Sequence, residues 1–268
     1  MAGRAHPRLL LGVYIPLVVI SALCAALFMD NLADVRTKKR ALRQACRDPH
    51  TWTIAVLYIG TFGSFIGFSF AFGLVLQGQF GTHFLTAGQV DPAKVAALTF
   101  LGPLVGSLSR PAGGWLADRI GGARTTAGCF ALMAAAAVTV LTASRLKSLD
   151  LFFAGFVALF ALSGAGNGST YKMIPAIFRS KEQQGIAAGA DPASAGRQAR
   201  RMAGAVIGIA GAAGAFGGVL VNLAFRQSFL ASGNGDAAYL AFIAGYGACV
   251  VLTWLAYLRP GRRRLPGV

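Results

Sequence analysis

Seven stretches of this chain run for about 20 residues or longer with little or no charge: 9–29, 52–76, 95–117, 124–143, 151–171, 202–225 and 237–258. That pattern constrains the fold more than any other feature. A helix of about 20 apolar residues crosses the ~30 Å hydrocarbon core of a bilayer. Inside that core each backbone N–H and C=O must be satisfied within its own segment, which selects helices. Little chain is left for a soluble domain. Of the 268 residues only 13% are charged, against about 25% in soluble domains. The expectation is an all-α polytopic membrane protein of seven transmembrane helices, with the lipid bilayer as its first partner.

The net charge of +16 raises nucleic acid as a partner, but the placement of the charges argues for membrane topology instead. Loops 30–51, 118–123 with its flank, and 172–201, together with the tail, carry eighteen Lys/Arg; the opposite loops carry six (Arg4, Arg8, Lys94, Arg145, Lys147 and Arg226). Basic loops stay in the cytoplasm, so the pattern predicts an N-terminus outside and a C-terminus inside, with no nucleic-acid partner. Residues 9–29 follow two arginines and could pass for a signal peptide. The stretch is too long for an h-region, lacks a clear A-x-A site and ends in a basic loop, so it reads as a retained helix. Three of four cysteines (Cys24, Cys129 and Cys249) fall inside apolar spans, and Cys46 falls in a cytoplasmic loop; no disulfide framework follows. His6, His50 and His83 are scattered. No metal, cofactor or nucleophile constellation appears, and the chain does not read as an enzyme.

The long basic loops divide the chain. Residues 1–29 form one helix, 30–51 a basic linker, 52–258 six helices interrupted by loop 172–201, and 259–268 a basic tail. Loop 172–201 is polar, rich in Gly, Ala and Arg, and reads as a flexible connection without chemistry of its own. Three plus three helices after a basic loop is the plan of one half of a twelve-helix transporter, where the triplets are inverted repeats and the substrate lies near the midplane. On that plan residues 1–29 are the last helix of a preceding half.

One charge breaks the pattern. Arg110 is the only charged residue between Val95 and Ala117. A cation at membrane depth costs about 2.5–3.5 kcal/mol on insertion scales and needs a partner or a task. It lies about 12 Å from the basic end of its helix, too far to snorkel easily. All nine acidic residues sit in loops or at span ends. Its helical neighbours at three and four residues are Gly106, Ser107, Gly113 and Gly114, all small, which would leave the guanidinium over an open face. Anion binding and a structural pairing within the bundle are the two readings. Pro103 and Pro111 free backbone carbonyls nearby, tolerated at this depth where they line a cavity.

Other spans carry weaker signals. Tyr58 and Phe62 share a helical face, with Phe65 one turn on, and a mid-span hydroxyl such as that of Tyr58 needs a partner. Most of the 19 Phe are expected to face lipid. Ser163, Asn167 and Thr170 or Tyr171 form a polar face that serves either as interhelical glue or as a substrate contact, beside a Gly164/Gly168 contact of the G-x-x-x-G type. Gly204, Gly208, Gly211, Ala215 and Gly218 make a stripe of tiny residues expected to pack closely, with Gly214 and Gly217 beside it.

The run Gly114, Asp118, Arg119, Gly121 resembles the G-x-x-x-D-R-x-G signature of the major facilitator superfamily, which implies a cytoplasmic gate latch in which Asp118 and Arg119 pair with a neighbouring helix. Three stretches together, YIGTFGSFIGF (58–68), GPLVGSLSRPAGGWLADRIGG (102–122) and GAGNGST (164–170), resemble the nitrate/nitrite porter family of that superfamily. The run GIAGAAGAFGG (208–218) is similar to the family's glycine signature. The resemblance covers residues 51 to about 225 and implies the second half of such a porter, beginning at about the sixth helix. It implies that Arg110 pairs with nitrate or nitrite, that Tyr58 donates to the anion and that Phe62 stacks on it. Asn167 and Ser163 are further candidate contacts. Gly208, Gly211, Gly214, Gly217 and Gly218 would permit movement beside the site. It also implies an inner-membrane location and a need for the other six-helix half, which would bring a second arginine. A porter for another small anion, and a non-transporting fragment or assembly subunit, are the alternative functions.

Overall fold

A computed structural model describes residues 7–29, 39–86 and 88–259. Residues 30–38 of the linker and 260–268 of the tail lie outside the described residues, as does Arg4. The chain divides into two units, residues 1–36 and 37–268. The first holds helix α1 (Pro7–Phe28), an apolar helix with Pro16 in its interior.

The second unit opens with α2 (Lys39–Arg47) and a long helix made of α3 (Pro49–Tyr58), a π turn (Ile59–Gly63) and α4 (Ser64–Phe80). A 3₁₀ turn (Gly81–Phe84) and a two-residue hairpin, β1 (Leu85–Thr86) with β2 (Gln89–Val90), lead to α5 (Pro92–Ile120). There follow α6 (Gly122–Leu146), α7 (Leu149–Ala187), α8 (Pro192–Ser232) and α9 (Asp236–Thr253), which runs into a second π turn (Trp254–Leu258). Seven helical segments among the described residues are long and apolar enough to cross a membrane, one of them in the first unit. The chain is an all-α polytopic membrane protein.

Three helices begin at an Asp-Pro pair. Asp48, Asp91 and Asp191 cap α3, α5 and α8 through the amides of His50, Ala93 and Ser194, with the proline in the first turn where its missing N–H costs nothing. The third of these overturns the expected flexible loop at 172–201. Helices α7 and α8 run through all of that stretch except residues 188–191. The linker at 30–51 is likewise helical over α2, which buries Ala41 and Ala45 and packs on α8. Between α5 and α6 only Gly121 intervenes, at φ 97°, the left-handed region open to glycine.

The core corrects the expectation for phenylalanine. Twelve of the 19 Phe are buried inside the bundle. Phe68, Phe72, Phe156, Phe160, Phe225 and Phe242 form a network of stacked and edge-to-face rings between α4, α7, α8 and α9, the arrangement that ring quadrupoles favour. Lipid offers apolar surface as readily as protein does, so hydropathy does not say which of the two a Phe meets.

Glycines set the closest approach in the fold. Added side-chain carbons at Gly113, Gly164 and Gly168 would overlap the backbones of Ala165, Gly106 and Arg110 respectively. Helices α5 and α7 thus pack backbone to backbone along the segment that carries Arg110. Ser109 locks the contact by donating to the Ala161 carbonyl at 2.7 Å.

Among the described residues three ion pairs link different helices or their caps: Asp118 with Lys172, Asp48 with Lys181, and Arg145 with Asp236. Each joins two residues that the charge pattern assigns to the same side of the membrane.

Candidate anion site

Arg110 sits half-buried on α5, facing α7 and the α3–α4 helix. Its guanidinium is held three ways. The Asn167 amide of α7 is oriented by its neighbours: its oxygen accepts from Arg110 Nε at 3.2 Å and Nη2 at 3.3 Å, while its nitrogen donates to the Tyr58 hydroxyl at 2.7 Å. The Phe62 and Phe65 rings lie 5.5 and 4.4 Å from the guanidinium carbon, a cation–π cradle of the kind that gains strength when desolvated. Among the described residues no carboxylate pairs with Arg110.

Donor arithmetic then defines the chemistry. A guanidinium has five N–H donors, and Asn167 takes two, leaving three. The Tyr58 hydroxyl uses its oxygen to accept from Asn167, so its own proton remains available to donate. Tyr58, Arg110 and Asn167 line one cleft of about 560 Å³ with Pro111, Gly114 and Trp115. A fixed positive charge and unspent donors facing a cleft suit a small anion.

The local fold explains why these groups meet. The π turn at Ile59–Gly63 lies between Tyr58 and Phe65. Such a turn inserts one extra residue into a helix and occurs often at functional sites. Thr61 supports it by donating to the Leu57 carbonyl at 3.1 Å. Opposite lies α8, where Gly214 abuts the Tyr58 and Phe62 rings, Gly217 abuts the Gly63 backbone and Gly218 abuts Ile66.

At one end of the cleft Asp118 of α5 and Lys172 of α7 form an ion pair of 2.7 Å, both partly exposed. Asp118 therefore does pair with a neighbouring helix. The Arg119 guanidinium lies 4.0 Å from the Trp115 ring on its own helix.

No family model matches the chain. Curated relatives do, over nearly its whole length. The chain is 34% identical over 256 residues to the nitrate/nitrite transporter NarU of Salmonella typhimurium, covering 94% of this chain and 53% of that protein. It is 33% identical to NarU of Escherichia coli over the same shares of each chain. It is also 33% identical to the probable nitrate/nitrite antiporter NarK2 of Thermus thermophilus, over 94% of this chain and 51% of the relative. The chain belongs to the nitrate/nitrite porter family. It spans about half the length of the curated relatives it matches.

In this chain four of the five candidate contacts, Arg110, Tyr58, Phe62 and Asn167, come together. Ser163 does not. It is fully buried, donates to the Phe160 carbonyl at 3.0 Å and does not line the cleft. It precedes Asn167 by one turn, where the close α5–α7 contact covers it. The small neighbours of Arg110 also act otherwise than expected. Gly106 and Gly113 are buried in that helix contact, and only Gly114 opens on the cleft. In the glycine run, Gly204, Gly208 and Gly211 meet nothing within 4 Å of where a side chain would start, so the closely packed glycines are Gly214, Gly217 and Gly218 instead. Sequence reasoning placed Phe65 one turn on from Phe62 but did not assign it to the guanidinium, which it contacts at 4.4 Å. It also missed Lys172 as the partner of Asp118, although the four-residue step from Gly168, itself packed on α5, places it near that helix.

Proposed function

We propose that this chain forms the second, C-terminal half of a nitrate/nitrite exchanger of the inner membrane and supplies one arginine of its anion site. The observation that carries the reading is the Arg110–Asn167–Tyr58 constellation, a cation that no carboxylate among the described residues pairs with and that an amide and two aromatic rings hold in place. Nitrate is planar and monovalent. A guanidinium fork meets two of its oxygens, and the Tyr58 hydroxyl donates to the third. Phe62 and Phe65 hold the guanidinium in place.

The other half of the porter brings the second arginine, and alternating access moves the halves about the site as six-helix bodies built of inverted triplets. Two arginines around an empty site repel, which disfavours closure without an anion and favours exchange over net import. No carboxylate occurs within the apolar spans of 52–258, so this half offers no proton carrier of the ordinary kind. Asp118 and Lys172 form the cytoplasmic latch. The bias of basic residues toward one set of loops assigns the N-terminus outside and the C-terminus to the cytoplasm, and the ion pairs among the described residues each join loops of one set.

Proteoliposomes carrying this chain with a complementary first half are expected to take up nitrate only when nitrite or nitrate is inside. Uptake driven by a pH gradient alone, with no internal anion, would overturn the exchange mechanism. In the same assay Asn167→Ala is expected to lower exchange at least about tenfold, from loss of hydrogen bonds to a charged group. Ser163→Ala is expected to stay within about twofold, since its hydroxyl meets only a carbonyl of its own helix. Equal losses in the two variants would remove Asn167 from the site.

A further inference from the structure

A second cationic feature lies at the far end of α8, more than a dozen residues from Gly214. Helix α2 lies against the first turns of α8, and between them opens a cleft of about 440 Å³ lined by Ala41, Gln44, Arg197, Gln198, Arg201 and Met202. Arg197 and Arg201 are four residues apart on one face of α8. The Nε of Arg201 is buried and has no hydrogen-bond partner among the described residues. A buried N–H without an acceptor is uncommon in a folded protein and calls for a cause. Two carboxylates lie near among the described residues, and neither forms an ion pair with Arg197 or Arg201. Asp191 is engaged at the helix start, where the Ser194 amide and, more weakly, the Arg197 charge hold its carboxyl below the usual range. The Glu182 carboxylate lies beside Gly196, with Arg200 close to the same point.

Depth along the helix identifies the ligand. The apolar span of α8 begins at residue 202. Arg201 therefore stands at the edge of the hydrocarbon, and Arg197 is about 6 Å further out along the axis. The headgroup layer on each face of a bilayer is about 5–7 Å thick, so both guanidinium groups fall at the level of lipid phosphates. Ala41 and Met202 form an apolar floor beside them. Basic pockets between helices on the cytoplasmic face suit anionic headgroups.

We propose that the α2–α8 cleft binds the phosphate of an anionic membrane lipid through Arg197 and Arg201. Guanidinium and phosphate pair through two parallel N–H donors, and the second contact supplies the acceptor that Arg201 Nε lacks. The bound headgroup ties α2 to the start of α8.

Native mass spectrometry of the full chain in detergent, titrated with phosphatidylglycerol or phosphatidylcholine, tests this. Wild type is expected to retain one phosphatidylglycerol with marked preference over phosphatidylcholine. Arg197→Gln with Arg201→Gln is expected to weaken that retention about thirtyfold, and Arg197→Gln alone about fivefold. Arg200→Gln, a change of equal charge one residue away, is expected to behave as wild type. The rim position of Arg197 keeps the single variant informative if the double variant misfolds. Equal retention by wild type and the Arg197 variants, or equal retention of the two lipids, overturns the proposal. Displacement of the retained lipid by millimolar inorganic phosphate assigns the cleft to a free anion and overturns the lipid as its source.

Discussion

Replacing Arg110 by lysine is expected to lower nitrate exchange about a hundredfold or more while the fold survives. The charge is retained, so the loss measures geometry. The guanidinium holds the Asn167 carbonyl through Nε and Nη2 and lies against two aromatic rings. An ammonium is a compact point charge that cannot make the fork or lie flat against both rings. Hydrogen bonds to charged groups contribute about 1.5–3 kcal/mol each, and losing two reaches a hundredfold or more at 1.4 kcal/mol per decade. The check is counterflow of nitrate in proteoliposomes carrying the chain and its complementary half, beside an unfolding midpoint in detergent. Exchange within about threefold of wild type would show that charge alone suffices and would remove Arg110 as a shaped contact.

A large effect on stability is expected at Gly164. A methyl there would overlap the Gly106 carbonyl and crowd the Ser109 hydroxyl. The Ser109 hydroxyl can rotate, but the Gly106 carbonyl is backbone and cannot give way, so α5 and α7 must separate. Overpacking in a tight core costs about 1–3 kcal/mol and occasionally more; with backbone on both sides, Gly164→Ala is expected at the upper end, about 3 kcal/mol or beyond. Gly208→Ala is the matched control. A methyl there meets nothing within 4 Å, and alanine favours a helix over glycine by up to about 1 kcal/mol, so neutrality or slight stabilisation is expected. Denaturant unfolding in micelles, followed by helical ellipticity, reads both. Equal shifts at the two positions would contradict the α5–α7 contact.

The seven spans were legible because apolar length is a strong signal and the bilayer leaves the backbone few choices. Arg110 was legible for the same reason, as an exception to that pattern, and the four-residue step placed Tyr58 and Phe62 on one face. Helix ends were less so. Polar composition at 172–201 suggested a loop, yet Asp191-Pro192 is a helix start of the same type as Asp48-Pro49 and Asp91-Pro92, and that signal was available. Which stripe of α8 packs was not legible, since Gly208 and Gly214 look alike until a neighbour is placed against them. Phe65 was legible as the next ring after Phe62, but its contact with the guanidinium depends on how α5 packs against α4, which spacing within one helix does not give. Ser163 shows the opposite failure: a polar residue on the expected face whose hydroxyl is spent within its own helix.

The lengths of α7 and α8 have a mechanical consequence. From Asn167 to the end of α7 at Ala187, and from Gly214 back to the start of α8 at Pro192, each helix extends about 30 Å from the anion site. Each degree of tilt about the site then moves the far end by about 0.5 Å and Lys172 by about a quarter of that. The torque that a contact exerts grows with its distance from the fulcrum. The Lys181–Asp48 pair and the seat of α2 on α8 therefore resist rocking with longer moment arms than the Asp118–Lys172 latch, and weak contacts far from the site restrain the helices as firmly as a strong one beside it.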